Sequence, residues 1–179
     1  MFWSRGYEGT TVPDLVAAMG VQRGSLYAAY GSKHAIYLAA LDRYQVLASA
    51  PMARIVHQVS QQDRPVVEAV RELLLGLVEQ AGTDPERRGC LIVNAVTERA
   101  ACDADVARRG QAAMSGMADA FADLLRVAQS RGELGPDRDP AALARFLVLT
   151  VQGLRVVAVA DPDRAQLTAA VEVALSALR

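Results

Sequence analysis

Aromatic residues make up only 5% of this 179-residue chain, with a single tryptophan. A hydrophobic content of 52% therefore has to be assembled into a core from Ala, Val and Leu. Cysteine is nearly absent. Cys90 and Cys102 are too few for a disulfide scaffold and match a reducing cytoplasm better. Histidine is equally scarce, and His34 and His57 stand in no His-x-x-x-His or Glu-paired spacing, so no metal centre is expected. No run reaches about 18 uninterrupted apolar residues. The most apolar stretch, 146–160, is broken by Gln152 and Arg155, and no membrane-spanning helix is expected. Met1-Phe2-Trp3-Ser4-Arg5-Gly6 carries neither the basic leader nor the apolar run of a signal peptide. A net charge of −1 excludes a protein that coats nucleic acid by bulk charge, but leaves room for a small local DNA-binding face. There is no Gly-rich phosphate loop. Asp103 with Asp105, and Asp161 with Asp163, read as helix caps and loop acids. Glu98-Arg99 and Arg108-Arg109 read as solvated helix faces. Neither a cofactor nor an enzymatic reaction is expected.

What is present is helical. A chain of this length buries roughly 70% of its unfolded surface and needs no metal or disulfide to fold. Gly and Pro punctuate it at 6–9, Gly20, Gly31, Pro51, 82–89, 132–140 and 161–163. Between these breaks the apolar spacing is helical, not alternating. Val66, Val70, Leu73, Leu77 and Ala81 mark one face, and Val106, Gly110, Met114, Met117, Phe121, Leu124 and Ala128 a second. Leu143, Leu147, Thr150, Leu154 and Val157 mark a third, and Leu167, Val171, Ala174 and Leu178 a fourth. Residues 143–159 are apolar around most of the helix. Such a helix is either buried in an ordinary hairpin or meets a second chain.

The first forty-five residues carry most of the information. Thr11-Val12-Pro13-Asp14 is a Thr-x-x-Asp capping box with Pro in the first turn, where a missing N–H costs little. Val12, Leu15, Val16 and Met19 form an apolar face, and Gly20 ends the helix. A second helix starts near Gln22, turns Leu26 and Tyr30 toward the core, and stops at Gly31. Ser32 then caps the next helix at Lys33. On pattern alone this is either a helix-turn-helix or a plain helical corner. In the first case Arg23, Ser25, Tyr27 and Ala28 face the major groove. Arg pairs bidentately with guanine, and Ser reaches phosphate or base edges. The Tyr hydroxyl bonds a phosphate. Lys33 and Thr11, each at a helix start, suit backbone phosphates.

The string Gly6-Tyr7-Glu8-Gly9-Thr10-Thr11-Val12, then Gly20-Val21, Gly24-Ser25-Leu26-Tyr27 and Tyr30-Gly31-Ser32-Lys33, resembles the signature of TetR/AcrR-type transcriptional regulators. The resemblance implies an all-α fold: an N-terminal helix-turn-helix DNA-binding module over residues 1–45, then a helical effector-binding and dimerisation domain over 46–179. It places Thr11, Arg23, Gly24, Ser25, Tyr27, Ala28 and Lys33 at DNA-facing positions, and Leu15, Leu26 and Tyr30 in the core of the module. Of the family's first helix only Phe2 and Trp3 precede the Gly6-Tyr7 pair, so that helix is expected to be truncated. The implied protein is a cytoplasmic repressor that binds operator DNA as a homodimer through residues 140–179. A small-molecule effector of unknown class releases it by favouring the conformation that does not match the operator.

An effector pocket is expected among Leu73, Leu77, Cys90, Asn94, Met114, Met117, Phe121 and Gln152. Met114, Met117 and Phe121 read equally as plain core. Asn94 and Gln152 would be polar points in an apolar lining. Gly89-Cys90-Leu91 resembles a subset of the family, some of whose members sense electrophiles, and Arg87 and Arg88 adjoin it. An inert buried cysteine is the other reading of Cys90. A second functional reading is a helical small-molecule-binding dimer that has lost DNA binding.

Overall fold

A computed structural model of the chain describes residues 1–62 and 64–178. Positions 63 and 179 fall inside the expected second domain, and 179 ends the expected dimer segment; both lie outside the described residues. Of the chain, 78% is helical, and no strand occurs among the described residues. The helices are α1 (Phe2–Arg5), α2 (Val12–Met19), α3 (Arg23–Tyr30), α4 (Lys33–Gln62), α5 (Val66–Thr83), α6 (Leu91–Arg99), α7 (Ala104–Ser130), α8 (Pro140–Ala160) and α9 (Arg164–Ser176). They form two compact units: residues 1–47 with 90–112, and residues 48–89 with 113–179.

In the first unit, Thr11 Oγ1 accepts the Asp14 N–H at 3.2 Å while Asp14 Oδ2 accepts the Thr11 N–H at 2.9 Å. This reciprocal cap starts α2 as its sequence predicts. Gly20 closes α2 in the left-handed conformation, φ 64°, which a side chain there would resist. Ser32 Oγ accepts the Ala35 N–H at 3.0 Å and caps α4. Leu15, Leu26, Ile36, Tyr37 and Leu41 are buried, and α2 packs on α3. Phe2 is buried as well, its ring edge-on to Tyr37 at 4.9 Å, so the short α1 anchors the start of the chain. Within the same unit, a Cβ on Gly110 of α7 would meet Val96 of α6 at 2.2 Å. Glycine is what lets these two helices approach.

Three expectations are corrected. Tyr30 is 41% exposed and Met19 45% exposed, so neither joins the core of the module. With eight residues each, α2 and α3 bury a single side chain fully, Leu15 and Leu26. Pro51 does not break the chain; α4 runs through it. A proline inside a helix removes one ladder bond, and here Met52, Ile55 and Val59 beyond it are buried in the second unit and hold the helix in place.

The second unit is a bundle in which α5 packs on α8 and α9, and α8 on α9. Val66, Val70, Leu74 and Val78 of α5 are buried, as are Phe121, Leu124, Leu125 and Ala128 of α7. Leu167, Val171, Ala174 and Leu178 are buried as the spacing predicts. On α8 the buried face is Ala144, Leu147, Val148, Val151, Leu154 and Ala158, whereas Val157 is 52% exposed. Asp139 caps α8, accepting the Ala141 N–H at 2.9 Å, and Asp163 caps α9 at 2.8 Å from Ala165 N. By length and composition alone α8 is long and apolar enough to cross a membrane. The core helix of a soluble bundle meets the same test.

Candidate nucleic-acid interface

Leu26 anchors α3, and every other residue of that helix is exposed. The spacing of α3 thus turns one side chain inward and presents Arg23, Gly24, Ser25, Tyr27 and Ala28 outward. The Arg23 guanidinium lies 5.5 Å from the centre of the Tyr27 ring, a stack one helical turn apart. A Cβ built on Gly24 would meet nothing within 4 Å. Neither backbone strain nor internal packing accounts for a glycine there, where it costs about 1 kcal/mol of helix stability. Thr11 is exposed at the start of α2, but its hydroxyl donates to Asp14 at 2.6 Å. The short hydrogen bonds from the Thr11 hydroxyl and N–H hold the Asp14 carboxyl below the usual aspartate range. Lys33 is half-buried, its ammonium 4.2 Å from the centre of the Tyr7 ring.

Behind this face runs a polar network that sequence spacing did not show. Glu98 is exposed as expected, but it is tied to the start of the chain, and Arg99 is half-buried. The Glu98 carboxylate accepts the N–H groups of Tyr7 at 3.0 Å and Glu8 at 3.1 Å. Arg99 bonds Glu8 at 2.5 Å and Asp103 at 3.2 Å, and its guanidinium sits 4.0 Å from the Tyr7 ring centre. His34 Nε2 lies 2.9 Å from Asp103 Oδ2. Asp103 also caps α7, accepting from the N–H groups of Asp105 at 3.1 Å and Val106 at 3.2 Å. Burial raises its pKa, but the bonds from Val106, His34 and Arg99 outweigh that and leave it below the ordinary aspartate value. Burial pushes the Tyr37 hydroxyl up to about 12. Arg109 makes a two-pronged pair with Asp42, at 2.7 and 3.0 Å. Apart from the local Arg99–Asp103 pair and the Asp103 cap, the hydrogen-bonded partners in this network lie 67 to 91 residues apart in sequence, beyond any local pattern. The one signal was a cluster of charged residues around the α6–α7 turn.

His34, Asp103 and Asp105 bring potential ligand atoms within 4.8 Å of one another. The Asp103 oxygens already accept from four donors, so this cluster reads as a structural tie. Of the expected pocket residues, Leu73, Leu77, Met114, Met117, Phe121 and Gln152 belong to the second unit; Cys90 and Asn94 belong to the first. Phe121 is fully buried, and Leu73, Leu77, Met114 and Met117 are half-buried against the core of the second unit. Cys90 is buried at the start of α6, and neither cysteine forms a disulfide.

A capped helix packed on a second helix whose outer face is exposed has the layout of a helix-turn-helix. Comparison with known proteins gives the same class. The family described as "Bacterial regulatory proteins, tetR family" matches residues 1–40, and "Tetracyclin repressor-like, C-terminal domain" matches 66–174. The chain is 36% identical over 181 residues to the HTH-type transcriptional regulator YezE of Bacillus subtilis (strain 168), covering 99% of this chain and 90% of that one. It is 28% identical to the repressor ComR of Escherichia coli (strain K12), covering 87% and 73% of the two chains. Among solved structures, a cysteine-substituted form of the regulator CifR on a 26-bp operator superposes with a TM-score of 0.82. The two are 32% identical, with 99% of this chain and 91% of that one covered. The chain belongs to the TetR family of bacterial transcriptional regulators. It is thus a DNA-binding regulator and not an enzyme, in a family that acts as dimers and responds to small-molecule effectors.

Proposed function

We propose that this chain is a cytoplasmic repressor that binds a two-fold-related operator as a homodimer and leaves it when a small molecule enters the second unit. The observation that carries this reading is the outward face of α3, where a single buried leucine leaves five small, basic or hydroxyl-bearing residues free to meet DNA. Arg23 reads a base edge, Ser25 a base edge or phosphate, and Tyr27 a phosphate. Gly24 and Ala28 permit close approach. Lys33 and the α2 start at Thr11 hold backbone phosphates. DNA binding is assigned to residues 1–45, and effector binding and dimerisation to 46–179, of which 90–112 pack within the first unit.

The dimer is assigned to 140–179 because α8 keeps a stripe of exposed apolar residues at helical spacing: Phe146 at 40%, Leu149 at 72%, Val156 at 55% and Val157 at 52% exposure. Val173 of α9 is 71% exposed. An effector site is assigned to the second unit, at Leu73, Leu77, Met114, Met117, Phe121 and Gln152. The test is fluorescence anisotropy with DNA flanking the chain's own gene against random DNA, titrated with salt. Preference for the flanking DNA, weakening steeply with salt, supports the reading. Equal affinity for both DNAs overturns it as a specific repressor of its own locus.

A further inference from the structure

We infer that the ligand of the second unit is a neutral, mainly apolar molecule with one hydrogen-bond donor, a hydroxyl or amide N–H, that meets Gln152 Oε1. This rests on the reading of that unit as the effector domain. Gln152 Oε1 is buried and has no hydrogen-bond partner among the described residues. Its amide nitrogen faces Met117 Sδ at 3.8 Å. A thioether accepts hydrogen bonds and does not donate them, so the nitrogen belongs on the sulfur side and the carbonyl is left over. Buried carbonyls almost always find a donor, because leaving one unpaired costs free energy.

Oε1 itself is buried within a single chain, although the rest of the Gln152 side chain is only part-buried. A ligand held against the core of the second unit brings its donor to this atom. The buried residues nearest to it along the chain are apolar: Val148 and Val151 on α8, and Phe121 one turn beyond Met117 on α7. The buried polar or charged residues among those described are Thr10 and Asp103, both in the first unit. Arg155, one turn beyond Gln152, is already engaged. An anionic ligand would have to draw Arg155 from its present interaction, and a cationic one would meet no buried carboxylate among the described residues of this unit, so either incurs a desolvation cost. A neutral donor satisfies the orphan carbonyl and leaves the lining dry.

The test uses the full chain and three probes of similar size: 1-hexanol, 1-methoxyhexane and hexanoate. Binding is followed by saturation-transfer NMR for wild type and Gln152→Leu. Wild type is expected to bind 1-hexanol about tenfold more tightly than the ether, the effect of one satisfied buried carbonyl, and hexanoate least. Gln152→Leu is expected to bind alcohol and ether alike. Equal binding of the three by wild type, preference for hexanoate, absence of hexanol binding, or an unchanged alcohol preference in Gln152→Leu overturns the inference. If the variant does not fold, the wild-type series decides alone. Addition of 1-hexanol to the protein–operator complex separates the two readings. Binding selective for the alcohol with no DNA release leaves the ligand class standing and removes effector-driven release.

Discussion

The Arg23 guanidinium rests on the ring of Tyr27, 5.5 Å from its centre, both on the outward face of α3. Stacking holds a flexible cation in one direction before DNA arrives, which lowers the ordering cost of a base contact. Arg23→Ala is expected to weaken binding to the specific site by about 1–3 kcal/mol and to relax preference at one base pair. The measurement is anisotropy on a set of single-base operator variants. Equal loss on specific and random DNA would reduce Arg23 to a phosphate contact.

Gly24 separates stability from recognition. No neighbour lies where its Cβ would stand. Gly24→Ala is therefore expected to stabilise the free protein by about 0.5–1 kcal/mol, from helix propensity alone. The same methyl is expected to weaken DNA binding by obstructing close approach. Thermal melts and DNA titrations on the same variant report the two effects. A gain in stability with unaltered DNA affinity would remove Gly24 from the interface.

Asp103 gives the first unit an acid-sensitive tie. Its folded-state pKa lies below the ordinary value of 3.8. The stabilisation is thus fully present above that value and lost as pH falls through the folded-state value. Asp103→Asn keeps the cap on α7 but weakens the pairs with Arg99 and His34. It is expected to cost about 1–2 kcal/mol at neutral pH and to flatten the loss of stability below about pH 4. Melting temperatures of both proteins from pH 6 down to pH 3 test this. Parallel curves would show that the pairing contributes nothing.

Dimerisation is expected to rest on the uncovered stripe of α8. Leu149 is 72% exposed, so Leu149→Glu leaves the bundle interior untouched while placing two like charges near each other across a two-fold interface. Analytical ultracentrifugation is expected to show a dimer for wild type and a monomer for the variant, with unchanged far-ultraviolet circular dichroism. A variant that stays dimeric would move the interface off this face.

The sequence by itself determined the elements of the DNA-reading head. The Thr11–Asp14 cap, the Gly20 turn, the Ser32 cap and the all-helical spacing are local interactions, written within a few residues of one another, and each appears where the spacing puts it. The burial of Leu167, Val171, Ala174 and Leu178 was legible in the same local way, from helical spacing of the large residues, although Val173 on the same helix is exposed. On α8 nearly every face is apolar, so periodicity could not choose among them; packing against α5 and α9 buried Val148 and Val151 and left Val157 out. Tyr30 failed as a core residue because an eight-residue helix on a small head buries only one side chain fully. Only the tertiary structure brought Glu98, Arg99 and Asp103 to Tyr7, Glu8 and His34, and set Gln152 beside Met117. These pairings depend on chain segments meeting across tens of residues, and hydrogen-bond geometry at that distance leaves no periodic trace in a sequence.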